Sequence, residues 1–350
     1  MKNNNWLLSF KIDSRAKISN KDKTFIIAEI GSNHNQSLKK AFKLISIAAK
    51  AGADAVKFQF LNYEQMYKHD RQFSQEKKLF KKIKFNQKWI DLLVEECKKL
   101  KIIFFFSITS LESQKIAEEK KMKLIKIASP QFYGNPWLCK RSLDSNIPTI
   151  ISTGLSSLEE IKRNMKNLRK SNNKKLVLLY CVSQYPLDYD NLKLDQIKKF
   201  KTFFKCLVGF SDHSRSTLIP AIAVEKGACV IEKHLTINRK DKGPDHFFSL
   251  EPSEFKTMVA NIREIDLLKK SKKKIYLDKK LLKLFKIKCI APKNFTKNER
   301  ISNLKLHGLR ASKGIDIEKA EYIENNFLAK KFIKKGEILS KSNIIRKNKC

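Results

Sequence analysis

The stretch that decides the fold is CLVGFSDHSRSTLIPAIAVEKGACVIEKH, residues 206–234. It contains two short runs rich in apolar and β-branched residues, Cys206–Phe210 and Cys229–Glu232, with a helix-compatible segment between them. Strands that alternate with helices in this way form parallel β/α units. Polar residues follow both runs at the same end, Ser-Asp-His at 211–213 and Glu-Lys-His at 232–234. The stretch therefore predicts a parallel sheet whose strand ends carry chemistry.

The same alternation continues towards the beginning of the chain. Further strand-like runs lie at Thr24–Ile30, Ala55–Phe60, Ile102–Phe106, Leu124–Ile127, Thr149–Ile151 and Leu176–Cys181. Helical segments separate them: Ser37 can cap a helix that stops at Ala51-Gly52, and Ser157 with Glu160 has the spacing of a capping box. Eight such units predict an α/β fold, a closed (β/α)8 TIM barrel with its active site at the carboxyl ends of the strands. An open doubly wound sheet is the alternative, but GSNHN stands where that fold has a glycine-rich turn.

Length and composition limit the class of protein. The chain has 350 residues, 42% of them hydrophobic, which suits a barrel with a large core plus a small appendage. No apolar run reaches the ~18 residues of a membrane span, so no membrane partner is predicted. The seven cysteines show no CxxC spacing and several lie in apolar runs, which predicts reduced thiols in a cytoplasmic protein. Residues 1–19 are interpreted as a loose amino-terminal arm.

The net charge of +39 raises the question of a polyanionic partner. The lysines are spread over nearly every predicted helix, and the densest run, Lys269–Lys274, lies in a predicted linker. Lys also outnumbers Arg, whereas bidentate readers of bases and phosphates are usually Arg. The charge therefore indicates a basic surface that attracts a small phosphorylated substrate, and nucleic acid is not an expected partner. A non-enzymatic polyanion-binding protein stays as an alternative.

Two of the six histidines, His213 and His234, follow neighbouring predicted strands. Neutral imidazoles at adjacent strand ends can reach one divalent ion, with Glu29 or Asp245 as oxygen ligands. Two nitrogens plus oxygens and water suit manganese or magnesium better than zinc. His34, after the first strand, is a weaker third candidate. The remaining histidines have no assigned role: His69, His246 and His307.

Two lysines differ from the many surface lysines because they interrupt predicted strands. Lys57 lies in AVKFQ and Lys126 in IKIAS, at the ends that face the barrel mouth. Five serines lie at the same strand ends: Ser107, Ser129, Ser152, Ser183 and Ser211. Two ammonium groups with several hydroxyls predict a pocket for a phosphate or carboxylate.

With these residues in place, the chain resembles the sialic acid synthase family, the phosphoenolpyruvate-dependent N-acetylneuraminate, legionaminate and pseudaminate synthases. The matching segments are IIAEIGSNHN, AGADAVKFQ, KIASPQ, IISTGLSSLEEI, VSQYPLDYDNLKL and GFSDHSRSTLIPAIAVEKGACVIEKHLTINRKDKGPDHFFSLEP. Near the end, IAPKNFTKNERI and FIKKGEIL resemble the family's small antifreeze-like (SAF) domain. The expected organisation is an arm at 1–19, a barrel at 20–268, a basic linker at 269–285 and an SAF domain at 286–350.

The resemblance implies a reaction and a set of roles. Phosphoenolpyruvate would attack the open-chain aldehyde of an N-acylated hexosamine through its C3, and phosphate would leave by C–O cleavage, giving a nonulosonic acid. His213 and His234 would hold manganese, and phosphoenolpyruvate would lie against Lys57, Lys126 and the five serines. Catalytic roles would fall to Glu29, Asp245 and Tyr185, and sugar contacts to Gln59, Gln131 and Arg310. The acceptor stays open between N-acetylmannosamine and a diacetamido-trideoxyhexose.

The resemblance also implies a homodimer, because the family's small domain covers the partner's barrel and delivers an Arg to the sugar. Arg310, in RASKGI, is the candidate. Two positions depart from the family pattern. Gln131 stands where many relatives have Glu, and Ser-Ile-Thr replaces Ser-Thr-Pro after the third strand, so Ser107 and Thr109 both stay candidates for the phosphate contact. Another phosphoenolpyruvate-condensing or aldolase barrel, acting on a phosphorylated sugar, is the enzymatic alternative.

Overall fold

The structure is a computed structural model that describes residues 5–62, 64, 74–270, 277–304 and 307–347. Residues 1–271 form one compact unit and residues 272–350 a second. The strands of the first unit are β1 (Ser9–Lys11), β2 (Lys17–Ser19), β3 (Phe25–Gly31), β4 (Ala55–Gln59), β5 (Ile103–Ser107), β6 (Ile125–Ile127), β7 (Thr149–Ser152), β8 (Leu176–Cys181), β9 (Leu207–Asp212) and β10 (Val230–His234). Strands β3 to β10 are parallel and close into a barrel, with β10 paired to β3. The predicted (β/α)8 barrel is confirmed.

Helices alternate with the barrel strands: α1 (Leu38–Ala51), α2 (Ser74–Ile83), α3 (Ile90–Lys99), α4 (Leu111–Glu119), α5 (Ser129–Gly134), α6 (Pro136–Asp144), α7 (Leu158–Leu168), α8 (Gln196–Phe204), α9 (Ile219–Glu225) and α10 (Pro252–Lys270). Short 3-10 turns lie at Gln87–Trp89, Tyr189–Asn191 and His246–Phe248. The predicted helix boundaries are confirmed at two places. The Ser37 hydroxyl accepts a hydrogen bond from the Lys40 amide at the start of α1, and Gly52 ends that helix in the left-handed conformation. Ser157 and Glu160 form a capping box at the start of α7.

Side-chain alternation divides each barrel strand between two cores. In β3, Ile26, Ala28 and Ile30 join the apolar layer between the barrel and its helices. Phe25 and Ile27, on the other face, belong to a separate cluster inside the barrel. Successive residues of a strand point to opposite faces, so the inward positions of all eight strands can be read by steps of two.

The amino-terminal segment is an ordered hairpin where it is described, so the interpretation of residues 1–19 as a loose arm is wrong. Strands β1 and β2 pair antiparallel, and Phe10, Ile12 and Ile18 are buried in the same cluster as the inward side chains of the barrel strands. Trp6 is also buried, and the Lys174 ammonium lies 5.5 Å from the centre of its ring. The hairpin therefore covers the amino-terminal end of the barrel, where apolar side chains would otherwise face water.

A charged clasp joins the last helix of the barrel to its first strand. The Asp266 carboxylate accepts hydrogen bonds from the Thr24 amide at 3.0 Å and from the Thr24 hydroxyl at 2.7 Å, across 242 residues of sequence. Arg263 pairs with Asp266 at 3.0 Å and with Asp54 at 2.9 Å. Helix α10 is thus tied to the first two strands of the barrel.

The second unit has antiparallel strands and a core of its own. Its elements are α11 (Lys279–Phe285), β11 (Ile287–Cys289), β12 (Gly308–Arg310), a 3-10 turn (Ile317–Lys319), α12 (Ala320–Asn326), β13 (Phe327–Ala329) and β14 (Ile344–Arg346). Strand β11 pairs with β12 and β13 with β14. The core is small: Cys289, Ala291, Phe295, Ile301, Leu304, Ala320, Ile323, Ala329, Ile333, Leu339 and Ile344. Helix α11 falls inside the segment predicted as linker, and the likeness of this unit to an SAF domain stays a prediction.

Cysteine pairing and helix length can be read directly from the structure. Each of the six described cysteines is buried and unpaired, as expected of reduced thiols. Within the described ranges, no helix has the length and apolar character needed to cross a membrane. His69, Cys350 and most of the lysine run that begins at Lys269 lie outside the described residues.

Candidate active site

The polar part of the barrel interior begins at one level of the strands. Glu29 in β3 and Lys57 in β4 are direct neighbours across the sheet, and the Lys57 Nζ lies 2.8 Å from the Glu29 Oε2. The Gln59 side-chain amide, one inward position further along β4, donates to the Glu29 Oε1 at 3.0 Å. The three predicted site residues on these two strands therefore form one hydrogen-bonded group.

Glu232 in β10 is the centre of the charge network, and it was not among the predicted site residues. Its Oε1 lies 3.3 Å from the Lys126 Nζ and 3.6 Å from the Lys57 Nζ. The Ser211 hydroxyl donates to the same oxygen at 3.1 Å. The side chains of Lys57, Lys126 and Glu232 are at most 5% exposed. A buried carboxylate between two buried ammonium groups holds both of them at fixed positions in the barrel mouth.

The pKa values in this network follow from burial and from neighbouring charges. Burial raises the pKa of Glu29 to about 7, against the opposing effect of Lys57. Burial also disfavours ionisation of Glu232, but the ammonium groups of Lys126 and Lys57 outweigh it and lower the Glu232 pKa. Burial lowers the pKa of Lys126, whereas Glu232 and Glu29 raise that of Lys57 despite burial. Two carboxyl groups with pKa values pushed in opposite directions are typical of sites that handle protons.

Hydroxyl groups surround the two lysines. Ser107 is the neighbour of both Gln59 and Lys126 in the strand register, and it is buried. Ser129 accepts a hydrogen bond from the Gly154 amide at 2.9 Å. A side chain at Gly154 would come within 2.5 Å of the Ser183 Oγ, so this position needs glycine for the close approach.

The hydroxyls of Ser152 and Thr109 differ in whether they are free to bind a ligand. Among the described residues, the buried Ser152 hydroxyl has no hydrogen-bond partner, which leaves it available to a ligand. Thr109, the alternative to Ser107, donates its hydroxyl to the Phe60 carbonyl oxygen at 2.6 Å. The geometry therefore favours Ser107 over Thr109 as a ligand contact.

Cys181, one of the cysteines in the predicted strands, also lies in this pocket. The Cys181 thiol, at the end of β8, is a neighbour of the Ser129 and Ser211 hydroxyls and of the Lys126 ammonium. Burial raises the pKa of this thiol to about 11, so it is protonated at neutral pH. Its inward position was predictable from the alternation of β8, in which Val177 and Leu179 also face the barrel interior.

The two predicted metal ligands lie side by side. The ring centres of His213 and His234 are 5.6 Å apart. The Nδ1 of His213 lies 2.9 Å from the Val182 carbonyl oxygen, which can only accept, so Nδ1 carries the proton and Nε2 keeps its lone pair. Within the described part of the chain, Nδ1 of His234 has no hydrogen-bond partner. Burial lowers the pKa of both rings, that of His213 to about 4, so both are neutral.

Aromatic rings form the wall beside the histidines. The Tyr185 ring centre lies 4.2 Å from that of His213 and 5.0 Å from that of Phe248. The Phe248 ring in turn lies 4.8 Å from His234. Tyr185 is half-exposed, whereas Phe248 is buried. Phe248 was not predicted, and its burial holds both histidine rings from one side.

Asp245 lies in the segment after β10, next to the end of the first barrel strand, β3. Its Oδ2 accepts a hydrogen bond from the Ser32 hydroxyl at 3.0 Å. Gly31 has φ of +53°, and a Cβ there would lie 2.9 Å from the Asp245 Oδ2 and 3.2 Å from the Glu29 Oε1. Only glycine lets the two predicted catalytic carboxyl groups come this close to the backbone between them. Burial raises the Asp245 pKa.

Of the other predicted residues in the barrel unit, Gln131 and His34 make none of these contacts. Gln131 lies in helix α5, two residues after Ser129, and is half-buried. Arg310 belongs to the second unit, where its guanidinium carbon lies 4.6 Å from the centre of the Phe285 ring. His34 packs against Phe58, Phe85 and Trp89 outside the barrel interior, so the weaker suggestion that it binds metal is wrong.

Known proteins resemble this chain in sequence and in structure. The sequence profile of the NeuB family matches residues 44–274. The N,N'-diacetyllegionaminic acid synthase of Campylobacter jejuni is 34% identical over 335 residues, covering 91% of this chain and 99% of that protein. The pseudaminic acid synthase of the same organism is 33% identical, covering 84% and 89%. The crystal structure of an N-acetylneuraminic acid synthetase from Leptospira borgpetersenii superposes with a TM-score of 0.71 and 31% identity, covering 79% of this chain and 95% of that one. The predicted resemblance is confirmed, and the chain belongs to the NeuB family.

Proposed function

We propose that this protein condenses phosphoenolpyruvate with an N-acylated hexosamine to give a nonulosonic acid and phosphate. The observation that carries the proposal is the pair of buried ammonium groups, Lys57 and Lys126, held by one carboxylate and surrounded by hydroxyls in a barrel mouth. A dianionic phosphate beside a carboxylate matches that donor set. The names of the relatives from Campylobacter and Leptospira agree with a sugar-acid product.

In this reaction the chain's own residues would bind and orient the two substrates. Lys57, Lys126 and the serines Ser107, Ser129, Ser152, Ser183 and Ser211 would hold phosphoenolpyruvate, with its C3 directed at the sugar aldehyde. Attack by C3 on the aldehyde carbon forms the carbon–carbon bond, converts the aldehyde oxygen to an alkoxide that takes up a proton, and leaves positive charge at C2, where water adds. Loss of a proton from that water and cleavage of the bond between C2 and the bridging oxygen release phosphate.

The carboxyl groups have complementary roles in this scheme. Glu232 is ionised and lies at the lysines, so it would stabilise the cation at C2 electrostatically. Glu29, whose pKa is about 7, would accept or supply a proton near neutral pH. Asp245, tied to Ser32, and the half-exposed Tyr185 would lie on the sugar side, with Gln59 and Gln131 as contacts to its hydroxyl groups.

A divalent ion fits the two histidines. Both rings are neutral, His213 presents its Nε2 lone pair, and the buried Nδ1 of His234 has no partner among the described residues. Those residues contain no group of three or more His, Cys, Asp or Glu side chains that could hold a metal, so water and substrate oxygens would complete the ligand set. This mixture suits manganese or magnesium. When bound, the ion would supply Lewis-acid polarisation of the aldehyde.

The test is phosphate release by the full-length chain. We expect phosphate when the protein is incubated with manganese chloride, phosphoenolpyruvate and either N-acetylmannosamine or a diacetamido-trideoxyhexose. In ¹⁸O-labelled water, the label should enter the sugar acid and not the phosphate, because the bond between carbon and oxygen breaks. The His234→Ala variant should lose turnover while its melting temperature changes little.

Two results would overturn the proposal. One is a folded, manganese-loaded protein that releases no phosphate with either class of acceptor. The other is phosphate release from phosphoenolpyruvate only when the acceptor is a phosphorylated aldose. That result would favour the alternative of a different phosphoenolpyruvate-condensing barrel.

We further propose that the active form is a homodimer in which Arg310 serves the partner's barrel. The support is the family resemblance, together with a guanidinium that lies over the exposed Phe285 ring in the small unit. Arg310→Ala and His234→Ala should each be inactive alone. Mixing and refolding them together should restore part of the activity, because hybrid dimers contain one intact site. No recovery in confirmed hybrids would contradict the shared site.

A further inference from the structure

A second charge pair is buried directly beside the two histidines, on the opposite face of the same strands. Asp212 in β9 and Lys233 in β10 are direct partners in the parallel register. Their side chains are 0% and 1% exposed, and the Lys233 Nζ lies 2.5 Å from the Asp212 Oδ2. Because Ser211 and Glu232 meet inside the barrel, strand alternation places Asp212 and Lys233 on its outer face. The proposed function uses neither residue.

The pair is tied to both sides of His213. The Lys233 ammonium also donates to the Ser214 carbonyl oxygen at 2.5 Å, and lies 3.2 Å from the Ser214 hydroxyl. The Asp212 carboxylate accepts from the Ser214 amide and from the Ser214 hydroxyl, both at 2.9 Å. The Lys233 ammonium therefore holds both Asp212 and Ser214, the two residues on either side of His213. Lys233 itself directly precedes His234 in β10.

Stability alone is a weak reason for such a pair. Removing two charges from water costs as much as their mutual attraction returns, and well-packed apolar residues often serve a fold equally well. A buried pair does fix geometry, since three acceptors around one ammonium allow little change in the spacing of the strands. Groups behind metal-binding histidines commonly set the orientation of the ligands and the affinity for the ion.

We propose that Asp212 and Lys233, with Ser214, are positioning residues that set the spacing of His213 and His234 for a divalent ion. The inference rests on the proposed function, because it requires that the histidines bind metal. The three residues act through the backbone, and none of them is a ligand. The predicted signature is a loss of metal affinity in protein that remains folded.

The experiment measures binding of Mn²⁺ alone to the full-length protein by the electron paramagnetic resonance signal of the free ion. The variant Asp212→Leu/Lys233→Met removes both charges and leaves no unpaired charge buried. We expect it to fold and to bind Mn²⁺ at least about tenfold more weakly than the unmodified protein. Ser214→Ala, which keeps the ion pair but removes one bridging hydroxyl, should weaken Mn²⁺ binding by less than the double variant does.

Two controls separate the outcomes. Arg263→Met breaks the clasp at the other end of the barrel and should lower stability without changing Mn²⁺ affinity. His234→Ala should abolish binding. If His234→Ala binds Mn²⁺ as well as the unmodified protein, the metal site of the proposed function fails. If His234→Ala loses binding but the double variant keeps full affinity, the positioning role alone fails. Should the double variant not fold, unchanged affinity in Ser214→Ala overturns that role.

Discussion

At the amino-terminal end of the barrel, the inward side chains are apolar, and at the carboxyl end they are charged or carry hydroxyls. The change occurs within two residues on most strands. The next inward-facing residue after Ile27 is Glu29, the one after Ala55 is Lys57, and the one after Val230 is Glu232. The same step leads from Phe105 to Ser107, from Leu124 to Lys126 and from Ile150 to Ser152. The interior of the barrel therefore changes from an apolar to a polar environment between one inward-facing residue and the next.

The difference assigns different tasks to the two ends. Apolar packing at the amino-terminal end gains free energy from burial, and the hairpin with Phe10, Ile12 and Ile18 adds to it. The carboxyl end contains Lys57, Lys126 and other buried polar groups that cost free energy unless they are paired. We infer that the first end supports the second, so that changes at one should affect stability and changes at the other should affect turnover.

The largest expected effect is on turnover, from the substitution Glu232→Gln. The amide keeps the shape of the side chain but removes the negative charge between Lys57 and Lys126. We expect kcat/KM for phosphoenolpyruvate to fall by about 10³-fold, in the range found when one group that stabilises developing charge is removed. Initial rates of phosphate release measure it.

The matched control for Glu232→Gln is Val230→Ala, one inward position earlier on the same strand. It should lower the free energy of unfolding and leave kcat/KM within about twofold, since it lies in the apolar end. A Glu232→Gln variant that retains more than a tenth of the activity would contradict the inference that changes at the carboxyl end of the barrel mainly affect turnover.

A smaller effect, on stability, is expected from Phe10→Ala in the hairpin. Phe10 is buried in the cluster at the amino-terminal end, and deletion of such a ring costs about 3 kcal/mol. Urea unfolding followed by tryptophan fluorescence gives the free energy. Leu8→Ala, at an exposed position of the same segment, should change it by less than about 0.5 kcal/mol. If Phe10→Ala lowered kcat/KM of the folded protein instead, the hairpin would have a role in the site.

The smallest effect concerns His34, which follows β3 but lies outside the barrel interior. Burial lowers its pKa to about 4, below the value of roughly 6.5 in an unfolded chain. As pH falls from 6.5 towards 4, the unfolded chain takes up the proton first, so stability decreases with decreasing pH. The loss attributable to His34 is roughly 2 kcal/mol at pH 5. Unfolding free energies of the protein and of His34→Asn, compared at pH 7 and pH 5, measure it.

His213 and His234 respond in the same direction in both proteins, so their contribution cancels in this comparison. An equal acid loss in His34→Asn would show that His34 does not contribute to it.

Much of the fold was predictable because the strands of a parallel barrel are continuous apolar runs with polar ends. Lys57 and Lys126 were identified among so many lysines because each interrupts such a run at the end that faces the barrel mouth. Glu232 was placed at a strand end but was given no role, because that role depends on two lysines from strands far apart in sequence, which meet only after the barrel closes. Linear sequence shows that each residue is polar and buried, but not which partner it has.

The amino-terminal hairpin was missed for a related reason. Phe10 lies between the exposed residues Ser9 and Lys11, and Ile18 follows the exposed Lys17, but two short strands cannot form a stable structure by themselves. Their stability comes from the apolar end of the barrel, whose strands lie elsewhere in the sequence. The expectation of a loose arm considered only the segment itself.

The clasp between Thr24 and Asp266 has a consequence for protein synthesis. The two residues are 242 positions apart, so at ~5–20 residues per second the first strand waits roughly 12–48 s on the ribosome for its partner. Before β10 pairs with β3, the sheet has two open edges, and open edges are where strands of different chains pair wrongly. Strand β10 closes those edges, and helix α10, which carries Asp266 and is made after β10, then completes the clasp on the closed barrel.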